Sequence, residues 1–412
     1  MRYGAPSHRL ESQLAAAARV TAVEASFVHL PSLVIVSIGD GTGQNHRSET
    51  HFVKAAQGLS LGKLHDVHLI YRSVMHHDIG VAEGTRRLDA LLTSAPLYGL
   101  RMRILIAFMC TFLICPLAFH GSLIDALVSG CGGAILCWLQ LHVAKNNPLY
   151  ANVFEISIAI LMAFVARALS SIRSHMFCYD AISSSGVVLI LPGYTILCSA
   201  LELASKNIVC GSVRMIYAII YSLFLGFGLT IGSDFYLLLD AGCYREPTWP
   251  WWLQEFPWWT LFILVPTFSF FSSLGNMQPF KTKELPVMVI ISCASFAANT
   301  AANAYIFNRS DIVSAIGAFV VGVLGNLYSR AFKGTAFTAM VTGILFLVPS
   351  GLSAAGGLAN NYHGQDVDQY SNGLQIGVRM VQVAIGITVG VFGSGLLVYS
   401  FGSRKTGGTF AF

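Results

Sequence analysis

Three carboxylates and two guanidinium groups stand inside or at the ends of long apolar runs: Asp125, Glu155, Glu202, Arg214 and Arg379. Ionisable groups in a hydrocarbon setting are costly and mark solute or proton paths. The acids suit proton exchange, Glu202 first and then Asp125 and Glu155. The arginines suit a carboxylate. All five lie near the end of a run, where snorkelling or surface pairing is the simpler account. Arg379 is hardest to explain that way, because Leu374 and Ile376 precede it. Asn299 and Asn303, in "FAANTAANAY", fall one turn apart on one helical face. Such a pair bonds a neighbouring helix or lines a polar site.

Backbone groups are the second source of chemistry. "VVLILPGYTILCSALELAS" carries Pro192 and Gly193 in mid-run, and "GILFLVPSGLSAAGGLAN" carries Pro349, Ser350 and Gly351. Proline lacks the N–H that continues a helix. A break frees carbonyls and exposes a half-helix N-terminus with roughly half a positive charge. At membrane depth such backbone is tolerated only inside protein or along a polar cavity. The spacing predicts two breaks facing each other near the midplane. They would frame a site for a small zwitterion such as an amino acid. Helix N-termini or arginine would take its carboxylate, and asparagine or freed carbonyls its ammonium.

The elements that position these groups are helices in a bilayer. Hydrophobic residues make up 54% of the 412, and only 11% are charged, against about 25% in soluble domains. Mean hydropathy is +0.63. The reading is an all-α polytopic membrane protein behind a small α+β domain at 1–100. Ten transmembrane helices are predicted, near 103–120, 122–142, 152–170, 181–204, 212–239, 258–275, 285–306, 311–329, 335–359 and 374–399. Near the span ends, Lys and Arg crowd the N-terminal side by 12 to 4, which puts both termini in the cytoplasm. The segment "EPTWPWWLQEFPWW" then faces outward as an aromatic belt.

The spans divide into a first repeat at 101–240 and a second at 258–400. Pro116, Pro192 and Arg214 match Pro266, Pro349 and Arg379 in the same order. Five spans per repeat is an odd number, so the copies must be inverted, as in secondary transporters.

In the N-terminal domain the patterning predicts a helix over 7–24, strands in "ASFVHL", "LVIVSIG" and "ETHFVKAA", and two helices leading to the membrane. Eight of the twelve histidines lie here, without HExxH or comparable spacing, so no metal site is expected. "GDGTG" lacks a P-loop lysine, and Ser7-His8 is no catalytic geometry by adjacency alone. The nine cysteines form no CxxC pair and read as packing residues. The polar start "RYGAPSHRLESQL" does not read as a cleavable signal, and the sequon Asn308-Arg309-Ser310 sits in a loop too short for use. Neither a cofactor nor nucleic acid is expected.

"RYGAPSHRLESQL", "QGLSLGKLHDVHLIYRSV", "LPGYTILCSALELASKNIVCGSVRMIYA" and "VRMVQVAIGITVGVFGS" together resemble the threonine/serine exporter family, closest to its fungal, pheromone-regulated branch. The resemblance spans nearly the whole chain. It implies a cytosolic N-terminal domain, ten spans and, for bacterial members, proton-driven export of threonine and serine. It also implies a longer polar extension ahead of "RYGAPSHRLE" in fungal relatives. Two other readings remain open: a membrane-anchored hydrolase working through the N-terminal domain, and a membrane protein without transport that serves mating. The chain is expected to be no enzyme, with a small solute, protons and the bilayer as its partners.

Overall fold

The computed structural model describes residues 2–39, 48–54, 58–144, 154–170, 176–234, 250–306, 309–332, 334–354 and 369–400. The strands lie where alternation predicts them. β1 (Ala25–Leu30), β2 (Leu33–Gly39) and β3 (Ser48–Lys54) form an antiparallel sheet in that order. Pro31 and Ser32 make a two-residue turn with Ser32 at φ 65°, a positive value of the kind tight hairpins use. α1 (Ser7–Val20) packs on β1, while α2 (Leu61–Met75) and α3 (Val81–Thr93) pair with each other. Helical periodicity overruns α1 by four residues, because the chain turns at Ala22, φ 53°.

Eleven further helices follow: α4 (Leu100–Phe119), α5 (Leu123–Leu139), α6 (Phe154–Ser170), α7 (Tyr179–Gly186), α8 (Gly193–Ala204), α9 (Ile208–Asp234), α10 (Leu261–Gly275), α11 (Glu284–Tyr305), α12 (Ser310–Phe332), α13 (Ala336–Ala354) and α14 (Gln369–Ser400). Among the described residues, seven are long and apolar enough to cross a bilayer, or eight if α7 and α8 form one bent span. α6, with 17 residues, reaches only about 26 Å at 1.5 Å per residue, short of a hydrocarbon core.

The first expected break is real. The chain leaves α7, passes a 3₁₀ turn at Val188–Ile190, extends at Leu191 and restarts as α8, bent by 55°. Leu191 is extended because proline disfavours the helical region for the residue before it. The second expected break is absent: α13 runs unbroken through Pro349, Ser350 and Gly351. One proline removes one backbone bond, and the buried neighbours Ile344, Leu347 and Val348 hold this helix in place. Most of "HGQDVDQY" lies outside the described residues, as do most of "GDGTG" and Asn308 of the sequon.

Helix contacts pair the two halves. α4 packs on α10, α8 on α13, and α9 on α14. Within each half a glycine pair repeats. Gly228 and Gly232 bring α9 onto Ile156–Ala163 of α6, and Gly386 and Gly390 bring α14 onto Asp311–Ala318 of α12. A Cβ at any of the four would strike the facing helix, which is how small residues let membrane helices approach closely. The two pairs share one offset. Arg214 and Arg379 are seven residues further apart, two helical turns, so this register does not make them equivalent. Cys178 is disulfide-bonded, which departs from the packing role expected for the cysteines.

Candidate functional site

The break builds a cavity because Gly193 has no side chain. A Cβ there would lie 3.1 Å from Leu345 and 3.2 Å from Val348 on α13, so α8 starts almost in contact with that helix. Beside this crossing lies a cavity of about 300 Å³. Gly193, Tyr194, Leu345, Val348 and Pro349 line it, with polar groups from Arg103, Gln140, Ser272 and Asn276. The two proline sites therefore border one cavity, although only one of them is a break. The first turn of α8 also leaves backbone N–H groups without an intrahelical acceptor.

A second cavity of about 210 Å³ lies between the N-terminal domain and the helices, lined by Gly4, Ala5, His29, Gly58, Leu59, Tyr194, Thr195 and Arg214. Leu59 and Tyr194 line both cavities, and the Tyr194 hydroxyl donates to the Gly4 carbonyl. A third, of about 280 Å³, lies at the opposite end of the helices. Asn299, Thr300 and Asn303 line it with Pro116, His120 and Phe296. Asn299 and Asn303 thus share a cavity as their spacing suggests, at a distance from the break. Between the first and third cavities stands Phe346, fully buried, with its ring 4.9 Å from Phe268 and 5.0 Å from Phe296.

The ionisable residues have other duties. Glu202 is fully buried, and its Oε1 accepts from Arg214 Nη1 at 2.6 Å and from the Ser7 N–H at 2.9 Å. The leading proton candidate and one of the two arginine candidates for a carboxylate are therefore each other's partners. Asp125 closes a capping box at the start of α5. Its Oδ2 accepts from the Ser122 N–H and hydroxyl, and its Oδ1 accepts from the Cys178 N–H. Glu155 is half-buried and bonded to Tyr221. Arg379 is half-buried on α14 and lines none of these three cavities. The backbone places Ser350 and Gly351 in α13, just past Pro349.

What sequence reasoning missed is the docking surface. In "SHRLE", the Ser7 N–H reaches Glu202, Arg9 bonds His68, and Glu11 accepts from the His29 N–H and from Asn207. The first N–H groups of α2, at Leu61 and Gly62, donate to the carbonyls of Asn276 and Met277 just past α10. Helix-end groups of opposite kind thus satisfy each other. His65 sits 3.0 Å from Glu284. Eight histidines in one short segment were the available signal. Four of them, His8, His29, His65 and His68, lie at this junction.

That junction should respond to pH. Burial first, and then Arg9 and Arg214, push His8 down to about 4. Burial and Arg214 do the same to His29, and burial with Arg9, His65 and Arg72 to His68. Once detached, these rings would titrate near 6.5. As pH falls from about 6.5 toward 4, the detached state takes up protons that the docked state refuses, so docking weakens. His65 runs the other way, raised chiefly by its bond to Glu284. Its contribution is complete below about 6.5 and is lost as pH rises through its raised value. Energy transfer between dyes on α3 and on the Glu284 end of α11 should fall on acidification below about pH 6.5. His65→Gln should erase the decline on the alkaline side. A flat profile from pH 8 to 5 would contradict this account.

The comparisons with known proteins agree with the architecture. Residues 1–236 match a family model described as a threonine/serine exporter, and residues 260–397 match a second, "Threonine/Serine exporter, ThrE". Proteins called "Pheromone-regulated membrane protein 10" match over 99% of this chain. Those of Saccharomyces cerevisiae and Eremothecium gossypii are 41% and 40% identical, with 54% and 56% of their own lengths covered. That of Zygosaccharomyces rouxii is 40% identical, with 42% covered. The chain thus spans about half the length of the curated relatives it matches. No solved structure matches it. Both halves and the N-terminal segment thus carry one identity: the chain is a multi-pass membrane protein that belongs to the threonine/serine exporter family.

Proposed function

We propose that the chain is a secondary transporter that exports a small amino acid of the threonine or serine kind, driven by protons. One observation carries this reading. Two cavities, one at the broken helix and one at the far end, are separated by a single aromatic cluster. That is the layout alternating access requires, with a site reached from either side but not from both at once.

The repeated glycine packing and the pairing of α4 with α10, α8 with α13 and α9 with α14 support two inverted five-helix repeats. α6 and α13 would complete ten spans, thickened by their neighbours rather than by their own length. The N-terminal domain would face the cytosol, as the Lys and Arg count suggests. The disulfide at Cys178, beside the far-end residue Asp125, suits an oxidising outer side. The direct test loads lipid vesicles containing the purified chain with labelled threonine and imposes a proton gradient. Threonine efflux that follows the gradient supports the reading, and efflux equal to that of empty vesicles removes it.

Two outcomes refine it. Glu155 is the acid with the fewest structural bonds, since Asp125 caps a helix and Glu202 pairs with Arg214. Glu155→Gln should abolish gradient-driven accumulation and leave threonine exchange intact. Unchanged gradient dependence would move the coupling elsewhere. Phe346→Ala should join the two cavities and raise passive threonine leak severalfold, measured in vesicles without a gradient. Leak equal to the parent's would show that Phe346 is no barrier.

A further inference from the structure

The 210 Å³ cavity at the junction is built unlike the one at the broken helix. Two of its lining residues are buried polar groups with a nitrogen left over. Arg214 is 9% exposed and His29 3% exposed. Arg214 uses Nη1 on Glu202, while its Nε has no partner in the protein. His29 turns Nδ1 toward the Cys210 sulfur at 3.3 Å, while its Nε2 has none. A buried unsatisfied polar atom is costly, and here two of them belong to residues that line the same space.

The hydrogen-bond pattern identifies what each nitrogen offers. The Cys210 thiol has one proton, and it donates to the His29 carbonyl at 3.2 Å. With the thiol proton on that carbonyl, the His29 Nδ1 carries its own proton toward the sulfur. A neutral imidazole holds only one, so Nε2 is a bare acceptor. The Arg214 Nε–H is a donor. The residues lining the cavity therefore hold a charged donor and a neutral acceptor without protein partners among the described residues. Glu202 already balances the Arg214 charge, so the surroundings favour a ligand without net charge.

We infer that this junction cavity is a binding site for a small zwitterionic amino acid, with its carboxylate on the Arg214 Nε–H and its ammonium on His29 Nε2. Gly4 and Ala5 of the N-terminal segment, Leu59 before α2, and Tyr194 and Thr195 of α8 enclose the same space. Occupancy would join the N-terminal domain to the first turn of the broken helix. Tyr194 reaches the membrane cavity as well, so a filled junction site would bear directly on the break. This inference adds a second site to the transporter reading and rests on that reading only for the choice of solute.

The test is titration calorimetry on the full chain in nanodiscs, with L-serine as probe. Ethanolamine lacks the carboxylate and propionate lacks the ammonium. Each should bind about tenfold or more weakly than serine, the effect of one lost charge-assisted hydrogen bond. His29→Asn keeps a nitrogen toward Cys210 and removes the one at the cavity, so serine affinity should fall about tenfold. His29→Gln can set its amide oxygen, an acceptor, at the position of Nε2 and should bind within a fewfold of the parent. Arg214→Lys keeps the charge beside Glu202 and removes Nε, and should weaken serine and propionate alike. Unfolding midpoints without ligand show whether each variant is folded. A serine stoichiometry per chain that is the same in the parent and in both His29→Asn and Arg214→Lys, in folded protein, overturns the inference. Loss of one serine site per chain in those variants upholds it even where vesicles show no threonine efflux, a result that would remove the transporter reading alone.

Discussion

Gly193→Leu should reduce threonine efflux by about tenfold or more, while Pro349→Ala should leave it within about twofold of the parent. The asymmetry follows from what each residue does in the folded chain. A Cβ at 193 already lies within 3.2 Å of Leu345 and Val348. Three further carbons would push α8 off α13, and overpacking of this kind costs about 1–3 kcal/mol. The same atoms would enter the cavity at the break. Pro349 sits in a helix that is already continuous, so alanine there restores one backbone bond and changes little else. Symmetric breaks would make the two substitutions equally harmful. Efflux from vesicles with matched protein content reads both, and loss of activity in Pro349→Ala would restore the symmetric view.

The second large effect concerns the Glu202–Arg214 pair. Arg214→Leu leaves a fully buried carboxylate whose remaining hydrogen bond, among the described residues, comes from the Ser7 N–H. Breaking a buried pair from one side costs about 3–5 kcal/mol. The variant should unfold at a clearly lower temperature or fail to accumulate. Glu202→Leu should be equally damaging, since it strands the arginine. The double variant Glu202→Leu with Arg214→Leu should recover most of the lost stability, because replacing both charges with apolar groups is often nearly neutral. Thermal unfolding in detergent, followed by circular dichroism, gives the four corners of the cycle. A double variant no better than the two single ones combined would mean that the pair is not one unit. The cycle also bears on coupling: a carboxylate held by arginine and by a backbone N–H is poorly placed to cycle a proton.

The reach of the sequence is clear from particular elements. Apolar runs and charge asymmetry require no tertiary information, because a bilayer forces backbone groups to bond within each helix. Strand alternation located β1, β2 and β3, and the Pro-Gly dipeptide located the bend before α8. Family membership was legible in "SHRLE" and the run after Leu191, since motif wording survives without a structure.

Tertiary packing decided the rest. Pro192 and Pro349 look alike as residues. One ends a helix and the other lies within one, because the residues packed around each site settle whether a missing hydrogen bond opens the chain. Glu202, Arg214 and Asp125 look alike as charges in apolar runs. Their partners are Ser7, each other, Ser122 and Cys178, which only folding brings near. Arg214 and Arg379 look alike as residues, yet they stand seven residues off the offset that Gly228 and Gly386 share with Gly232 and Gly390, because residue identity along a helix carries no register. The histidines of the N-terminal domain gain their meaning from Glu284, Arg214 and Cys210, each distant in sequence. Local chemistry thus determined that the chain enters the membrane and roughly where its helices begin and end. Which polar groups are free to meet a solute was decided by contacts between residues far apart in the chain, where a group's partner sets its charge, its hydrogen bonds and its access.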